Sequence, residues 1–105
     1  MPQAIRDMEA RVLASLAHPN RLLILDVLQE REMCVCELQA ALGMEQSNLS
    51  RHLKVMAQEG IVDWHRVGVR AYYRIAEPRV LALRSVASAI VKSRLARAAE
   101  ISKSA

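Results

Sequence analysis

The sequence predicts a single, mainly α-helical domain with one small β-hairpin, in the order α-α-α-α-β-β-α. Three observations lead to this fold class. Apolar residues recur at helical spacing over four segments before residue 60 and over one long segment after residue 78. Residues 61–75 instead form β-prone runs around a glycine. The length of 105 residues suits one domain, and an apolar fraction of 52% is enough for a compact core.

The first two predicted helices meet at a proline. Apolar periodicity indicates a helix over about residues 5–17 and another over about 19–29. Pro19 suits the first position of a helix, because its missing N–H costs nothing there. The second helix is apolar on more than one side, so we expect it to be buried.

The next two predicted helices are separated by a glycine turn. A third helix is expected over about 36–42, where Cys36-Glu37-Leu38-Gln39 has the form of a capping box with a thiol in the hydroxyl position. Gly43 turns the chain into a fourth helix over about 46–59, which has an apolar inner stripe and polar outer faces. A short helix, a turn and a polar-faced second helix form the layout of a helix-turn-helix.

A hairpin and a long helix complete the chain. Gly68 is expected at the tip of the hairpin. The last helix, from Pro78 to about residue 101, has a long apolar stripe that needs a partner. All three aromatic residues of the chain lie in the hairpin, and we expect them to pack it onto the helices rather than to stack on bases: Trp64, Tyr72 and Tyr73.

The polar face of the fourth helix indicates contact with DNA. The second helix of such a motif enters the major groove, so its outward side chains must donate and accept hydrogen bonds. Gln and Asn can pair with adenine, Arg with guanine, and Ser with phosphate or base. Two arginines flank the hairpin tip, where they can meet phosphates or the minor groove. The predicted DNA-binding residues are Gln46, Ser47, Asn48, Ser50, Arg51, His52, Lys54, Arg66 and Arg70.

Positive charge is concentrated in the second half of the chain. The formal net charge is +4. Residues 1–45 carry four basic and seven acidic side chains, residues 46–74 carry five and two, and residues 78–105 carry six and one. This distribution favours one face that meets a polyanion, although a merely solvated surface would explain it as well.

Several classes of protein are disfavoured. No apolar stretch approaches the ~18 residues of a membrane span, and the N-terminus lacks the apolar region of a secretory signal. We therefore expect a cytoplasmic protein, in which two close thiols are more often ligands or redox groups than a disulfide. Isolated glycines and the lack of a catalytic triad or carboxylate pair argue against an enzyme. The alternative to a DNA-binding protein is a domain of the same fold that binds other proteins and never binds DNA.

Four segments resemble the ArsR/SmtB family of winged-helix repressors: Leu16–Leu25 (LAHPNRLLIL), Gln46–Met56 (QSNLSRHLKVM), Gly60–Val62 and Tyr72–Ile75. The resemblance covers roughly residues 10–75. It implies repression by binding to operator DNA, with release when an inducer arrives, and no cofactor is required for DNA binding.

The resemblance also implies a homodimer built on the first and last helices. The chain would then be one winged helix-turn-helix domain over residues 1–105, with dimerisation helices at 1–17 and 78–105, a helix-turn-helix at 36–59 and a wing at 61–75. A twofold dimer would present its two recognition helices to half-sites ~34–36 Å apart. The implied partners are double-stranded operator DNA and a second copy of the chain, with no membrane.

The run Glu32–Leu38 (EMCVCEL) resembles the family's arsenic-sensing motif, whose cysteines bind trivalent arsenic or antimony. Two of the motif's three cysteines match, as Cys34 and Cys36, and Gln39 occupies the third position. The chain has no other cysteine, so three thiolates cannot come from one subunit. We expect this pair to bind As(III), Sb(III) or methylated As(III), with glutathione or hydroxide completing the site.

Thiol chemistry supports a sensor at this position, because soft thiolates select soft ions. Side chains two residues apart diverge by about 200° on a helix but share a face on an extended segment, ~6.6 Å apart. Drawing the thiols together would distort the helix that supports the recognition helix. Two alternatives are that the cysteines oxidise to a disulfide or persulfide, and that they are merely small apolar side chains.

Other metal sites are disfavoured. The resemblance places the family's second metal site on the final helix, built from Asp and His, but residues 78–105 contain neither. The three histidines are scattered along the chain, which predicts structural or phosphate-binding roles: His18, His52 and His65.

Overall fold

The computed structural model describes residues 2–104 and confirms the predicted fold class. Met1 and Ala105, the outer ends of the predicted dimerisation segments, lie outside the described residues. Each predicted helix and both strands of the hairpin are present, with ends within three residues of those expected. The elements are α1 (Gln3–Leu16), α2 (Pro19–Glu30), β1 (Met33–Cys34), α3 (Val35–Leu42), α4 (Gln46–Gln58), β2 (Val62–Val67), β3 (Arg70–Ile75) and α5 (Arg79–Ser104).

Local residue choices fix the ends of the helices that form the helix-turn-helix and its support. His18 caps α2, because its imidazole Nδ1 accepts a hydrogen bond from the Asn20 N–H at 3.0 Å. Gly43 ends α3 in the left-handed conformation, with φ of 65°, and its N–H donates to the Gln39 carbonyl at 2.8 Å. Glycine takes this conformation without a Cβ penalty, and the turn into α4 follows at once.

A two-residue strand, β1, was not predicted. It adds to the hairpin in an antiparallel sheet of order β1-β3-β2, with Met33 opposite Tyr73 and Cys34 opposite Tyr72. The pairing holds Cys34 in an extended conformation, and α3 begins directly after it. The predicted capping box is therefore wrong by two residues: Cys34 is the cap, and its N–H donates to Glu37 Oε1 at 3.2 Å.

The core lies between α2, α3, α4 and the sheet. From α5 it includes Val80, near the start of that helix, and Arg84 further secures α5 by donating to the Leu22 carbonyl at 2.8 Å. The buried members are Leu16, Ile24, Leu25, Leu28, Met33, Leu38, Leu49, Leu53, Met56, Ile61, Val62 and Val80. None of the described helices is both long and apolar enough to cross a bilayer.

The aromatic side chains of the hairpin do not all pack inward. Tyr73 packs against the core, as expected. Trp64, however, is 50% exposed, and the Arg66 guanidinium lies 6.0 Å from the centre of its ring. The expectation that all three aromatics fasten the hairpin to the helices is therefore wrong for Trp64. Trp64 and Tyr73 are opposite each other in the register, but the sheet edge leaves the indole uncovered.

Leu38 gives a direct test of the core, because it is fully buried where α3 packs between α2 and α4. Leu38→Ala should lower the free energy of unfolding by about 3 kcal/mol, since the truncation loses apolar burial and leaves a cavity. Urea denaturation followed by circular dichroism measures this change. Val69→Ala, at the exposed hairpin tip, is the control and should change stability by less than about 0.5 kcal/mol. Equal losses in both variants would contradict this core.

Candidate DNA interface and cysteine pocket

The outward face of α4 carries polar groups suited to reading a groove. Its inward side is held in the core by Leu49, Leu53 and Met56. Six of the predicted DNA-binding residues are exposed on the other side: Gln46, Ser47, Asn48, Ser50, Arg51 and Lys54. Among them, the Arg51 guanidinium donates to Asn48 Oδ1, which orders both side chains on the surface.

His52 is placed differently from these six residues. It is only 6% exposed, and its Nδ1 accepts a hydrogen bond from Arg21 Nε at 3.2 Å. Burial, with the positive charges of His18, Arg21 and Arg51 nearby, lowers the pKa of His52. Its imidazole therefore joins α4 to α2 and does not share the outward face expected for a residue that reads bases.

Arg21 is a structural link that the sequence reasoning did not single out. Besides its bond to His52, its Nη1 donates to the carbonyls of Ala14 at 3.1 Å and Ser15 at 3.4 Å. One guanidinium thus joins the end of α1, the start of α2 and the middle of α4. The only sequence signal for it was its place in the LAHPNRLLIL run.

The two wing arginines are both exposed but have different neighbours. Arg66 lies beside the Trp64 ring on β2. Arg70, at the start of β3, lines a small cavity together with both cysteines. Interactions with Cys34, then Tyr72 and Cys36, raise the pKa of the Arg70 guanidinium. A residue expected to meet DNA is therefore also next to the thiols.

The backbone of the cysteine pair is part extended and part helical, whereas a wholly helical or a wholly extended segment was considered from the sequence. Cys34 ends β1 and is 2% exposed, whereas Cys36 lies in the first turn of α3 and is exposed. The pair is neither wholly extended nor wholly helical. Both thiols are free, and both side chains line one cavity of about 190 Å³. The lining residues are Cys34, Val35, Cys36, Val69, Arg70 and Ala71.

The capping box connects this cavity to the helix-turn-helix. Glu37 accepts from Arg31 Nη1 at 2.7 Å and from the Cys34 N–H, and these bonds lower the pKa of Glu37 to about 2. Movement of Cys34 would therefore disturb the start of α3. Within residues 2–104, no three His, Cys, Asp or Glu side chains are grouped so that they could hold a metal ion. The cavity itself offers two protein sulfurs.

Comparison with known proteins agrees with this architecture. The family model described as bacterial regulatory protein, arsR family, matches residues 18–63. The chain is 35% identical over 85 residues to the transcriptional repressor SmtB homolog of Synechocystis sp., which covers 80% of this chain and 64% of that protein.

Two solved structures from mycobacteria are similar over most of the chain. The crystal structure of Rv0081 from M. tuberculosis has a TM-score of 0.79 and 35% identity, covering 90% of this chain and 96% of that one. The homodimeric winged helix-turn-helix DNA-binding domain Mb0332 from Mycobacterium bovis has a TM-score of 0.77 and 36% identity, covering 88% and 85%. The chain therefore belongs to the arsR family of bacterial regulatory proteins, as a transcriptional regulator with a DNA-binding winged helix-turn-helix and not as an enzyme.

Proposed function

We propose that this protein is a homodimeric repressor that releases its operator when As(III), Sb(III) or methylated As(III) binds Cys34 and Cys36. The observation that carries the proposal is the shared cavity. Both cysteines and Arg70 of the wing line it, and Cys34 also caps the first helix of the helix-turn-helix. A ligand bound to the sulfurs would therefore act on both the wing and the helix-turn-helix, the two parts that contact DNA in this proposal.

DNA binding in this proposal uses the surfaces already described. The exposed face of α4 enters the major groove, where amide and guanidinium groups can read base edges. Arg66 and Arg70 of the wing, residues 61–75, contact phosphates or the adjacent minor groove. The excess of basic side chains over residues 46–74 is consistent with this arrangement.

Dimerisation is supported by apolar side chains that the single chain leaves uncovered. Most of them lie on α1 and α5, the helices within the predicted segments 1–17 and 78–105. These two helices and residues 59–61, between α4 and β2, border an apolar groove of about 610 Å³. The similar domain Mb0332 is homodimeric. The exposed large apolar residues of α1 and α5 are Ile5, Met8, Leu13, Leu83, Val86, Ile90, Val91, Leu95 and Ile101.

Binding of arsenite replaces two of its hydroxyl groups by sulfur. Two As–S bonds form, two As–O bonds break, and the two thiol protons leave with the hydroxyls as water. One hydroxyl, or the thiolate of glutathione, completes the three positions on arsenic. A monomethylated arsenical has only two exchangeable positions and would be satisfied by the two cysteines. Because Cys34 is fixed by β1, drawing Cys36 toward it would distort the first turn of α3.

A thiol-redox sensor is the second candidate, favoured by the pairing of a buried and an exposed free cysteine beside a guanidinium. Hydrogen peroxide would accept two electrons from the two thiols, forming a disulfide and two molecules of water. A persulfide on one of the two cysteines is the related modification. These events would strain the same capping box, so DNA release alone does not separate the two candidates.

The test combines DNA affinity with intact mass. A labelled duplex from the DNA upstream of the gene is titrated with protein by fluorescence anisotropy, without inducer and with arsenite, antimonite, methylarsenite, Cd(II), Zn(II) or peroxide. We expect arsenic and antimony compounds to weaken binding by at least about tenfold, within the usual range of allosteric coupling. The mass should increase by one metalloid per chain.

Other outcomes contradict parts of the proposal. Release by peroxide alone, with a mass lower by two hydrogens, would identify the redox sensor instead. Release by zinc alone would exclude both thiol mechanisms as the physiological signal. Failure to bind any duplex, at salt concentrations low enough to reveal phosphate contacts, would favour a protein-interaction module.

A further inference from the structure

A second polar pocket lies between the start of α2 and the middle of α4, away from the cysteines. Its volume is about 410 Å³. Of the residues described, those lining it include two guanidinium groups and two imidazoles but no carboxylate. Such a set has a net affinity for anions. The lining residues are His18, Asn20, Arg21, Asn48, Arg51, His52 and Val55.

The hydrogen bond to His52 determines which of its ring nitrogens carries the proton. Nδ1 accepts from Arg21 Nε, so the proton of the neutral ring is on Nε2. Within the described part of the chain, no acceptor is bound to this Nε2–H. The ring lines the pocket, so its Nε2–H is a donor left for a ligand bound there.

His18 repeats this arrangement on the facing helix. Its Nδ1 accepts the Asn20 N–H as the cap of α2, which places the proton of the neutral ring on Nε2. The centres of the His18 and His52 rings are 4.5 Å apart. Two Nε2–H donors therefore line the same pocket, beside the N-terminus of a twelve-residue helix, whose dipole also favours an anion.

Asn48 and Arg51 close the pocket from α4 and add further donors. The Asn48 carbonyl oxygen already accepts from the Arg51 guanidinium, so the amide of Asn48 has its N–H groups left to donate. In the same way, the acceptor nitrogens of both imidazoles are occupied within the protein. The groups left for a ligand are donors, and the natural ligand of such a set is an oxyanion.

We propose that this pocket binds a phosphate oxyanion and that the phosphate belongs to the DNA backbone beside the groove entered by α4. The inference rests on the proposed DNA binding and adds a specific phosphate contact to it. The pocket adjoins the outward face of α4 through Asn48 and Arg51, which are exposed on the same helix. A phosphate clamped here would set the register of α4 in the groove without reading sequence.

The first test uses the wild-type protein. Long-range ¹H–¹⁵N spectra report the Nε2 resonances of all three histidines, and the protein is titrated separately with the upstream duplex and with inorganic phosphate. We expect the duplex to shift the Nε2 signals of His18 and His52 at stoichiometric concentration. The signal of His65, on the wing beside Glu32, serves as the internal reference and should move less.

The second test removes the donors while keeping the contacts that hold the fold. In His52→Asn, the amide oxygen replaces Nδ1 as the acceptor for Arg21, whereas the Nε2–H is lost. His18→Asn keeps an efficient helix cap and loses the same donor. The double variant should bind the duplex about tenfold more weakly or worse, as expected for losing hydrogen bonds to a charged group. His65→Asn is the matched control and should change affinity less than threefold.

Methylphosphonate substitution identifies the source of the phosphate. Replacing backbone phosphates one at a time should reveal a position that weakens binding by wild type but has little further effect on the double variant. If only inorganic phosphate shifts the two histidines, the pocket binds a free anion and the backbone assignment is wrong. If neither probe shifts them, the pocket is not a phosphate site. If no duplex binds at all, the proposed function fails, while the inorganic phosphate titration still tests the pocket.

Discussion

Replacing both cysteines by serine is expected to leave DNA binding intact and to abolish its response to trivalent arsenic and antimony. Serine is a preferred N-cap residue, so Cys34→Ser keeps the start of α3 and its capping box with Glu37. A hydroxyl group does not replace a thiolate as a ligand for a soft ion. The ratio of dissociation constants with and without arsenite should fall from at least about tenfold in wild type to about one.

Three further variants, Cys34→Ser, Cys36→Ser and Met33→Leu, show which sulfur atoms the response to arsenic requires. Each single replacement should also lose the response, because one thiolate cannot close a two-sulfur site. Met33→Leu removes the buried thioether next to Cys34 at nearly constant volume and should respond like wild type. Release of DNA by arsenite from the Cys34→Ser/Cys36→Ser protein would exclude these two thiols as the arsenic site.

Most of the fold could be predicted because its boundaries depend on local chemistry. Pro19, Gly43 and Gly68 mark a helix start, the turn of the helix-turn-helix and the hairpin tip, and the last two take positive φ in the structure. The apolar inner stripe of α4 is buried as its spacing predicts. Such features need only a few neighbouring residues, so a single sequence contains them.

The features that the sequence did not reveal depend on contacts between distant segments. Strand β1 is two residues long and has no periodicity of its own; it exists because residues 33 and 34 pair with residues 73 and 72. That pairing also moves the capping box from Cys36 to Cys34. Likewise, the sequence predicts that His52 shares the outward face of its polar neighbours on α4, whereas burial and the hydrogen bond from Arg21 show that it faces inward.

The residues around the two cysteines also depend on a contact between distant segments. The spacing of the two thiols was evident from the sequence, but the presence of Arg70 was not, because it lies 34 residues after Cys36 and reaches it through the hairpin. The sequence predicts only that Arg70 meets phosphates or the minor groove. Because Arg70 lies beside both cysteines, an inducer bound to the sulfurs would act directly on the wing. Neither the cysteine motif nor the wing sequence indicates this contact by itself.

An aspartate on the exposed apolar stripe of α5 is expected to separate the dimer and with it most of the affinity for DNA. Leu83, Val86 and Ile90 recur at helical spacing and are exposed in the single chain, Ile90 by 56%. Ile90→Asp would place an unpaired carboxylate in a desolvated interface, which is strongly unfavourable. Light scattering should then give a mass near 11.7 kDa, that of one chain, at concentrations where wild type has twice that mass.

The loss of affinity should be large because two linked recognition helices bind far more tightly than one. Each half of a dimer raises the effective concentration of the other at its half-site, so a monomer should bind the operator about 100-fold more weakly or worse. Ser85→Asp introduces the same charge about 140° away around α5 and should remain dimeric. Since α5 contributes Val80 alone to the described buried core, the fold of the Ile90→Asp monomer should survive, and its circular dichroism should match wild type. A folded Ile90→Asp dimer with full affinity would place the interface elsewhere, because no apolar contact surface tolerates a buried carboxylate without a partner.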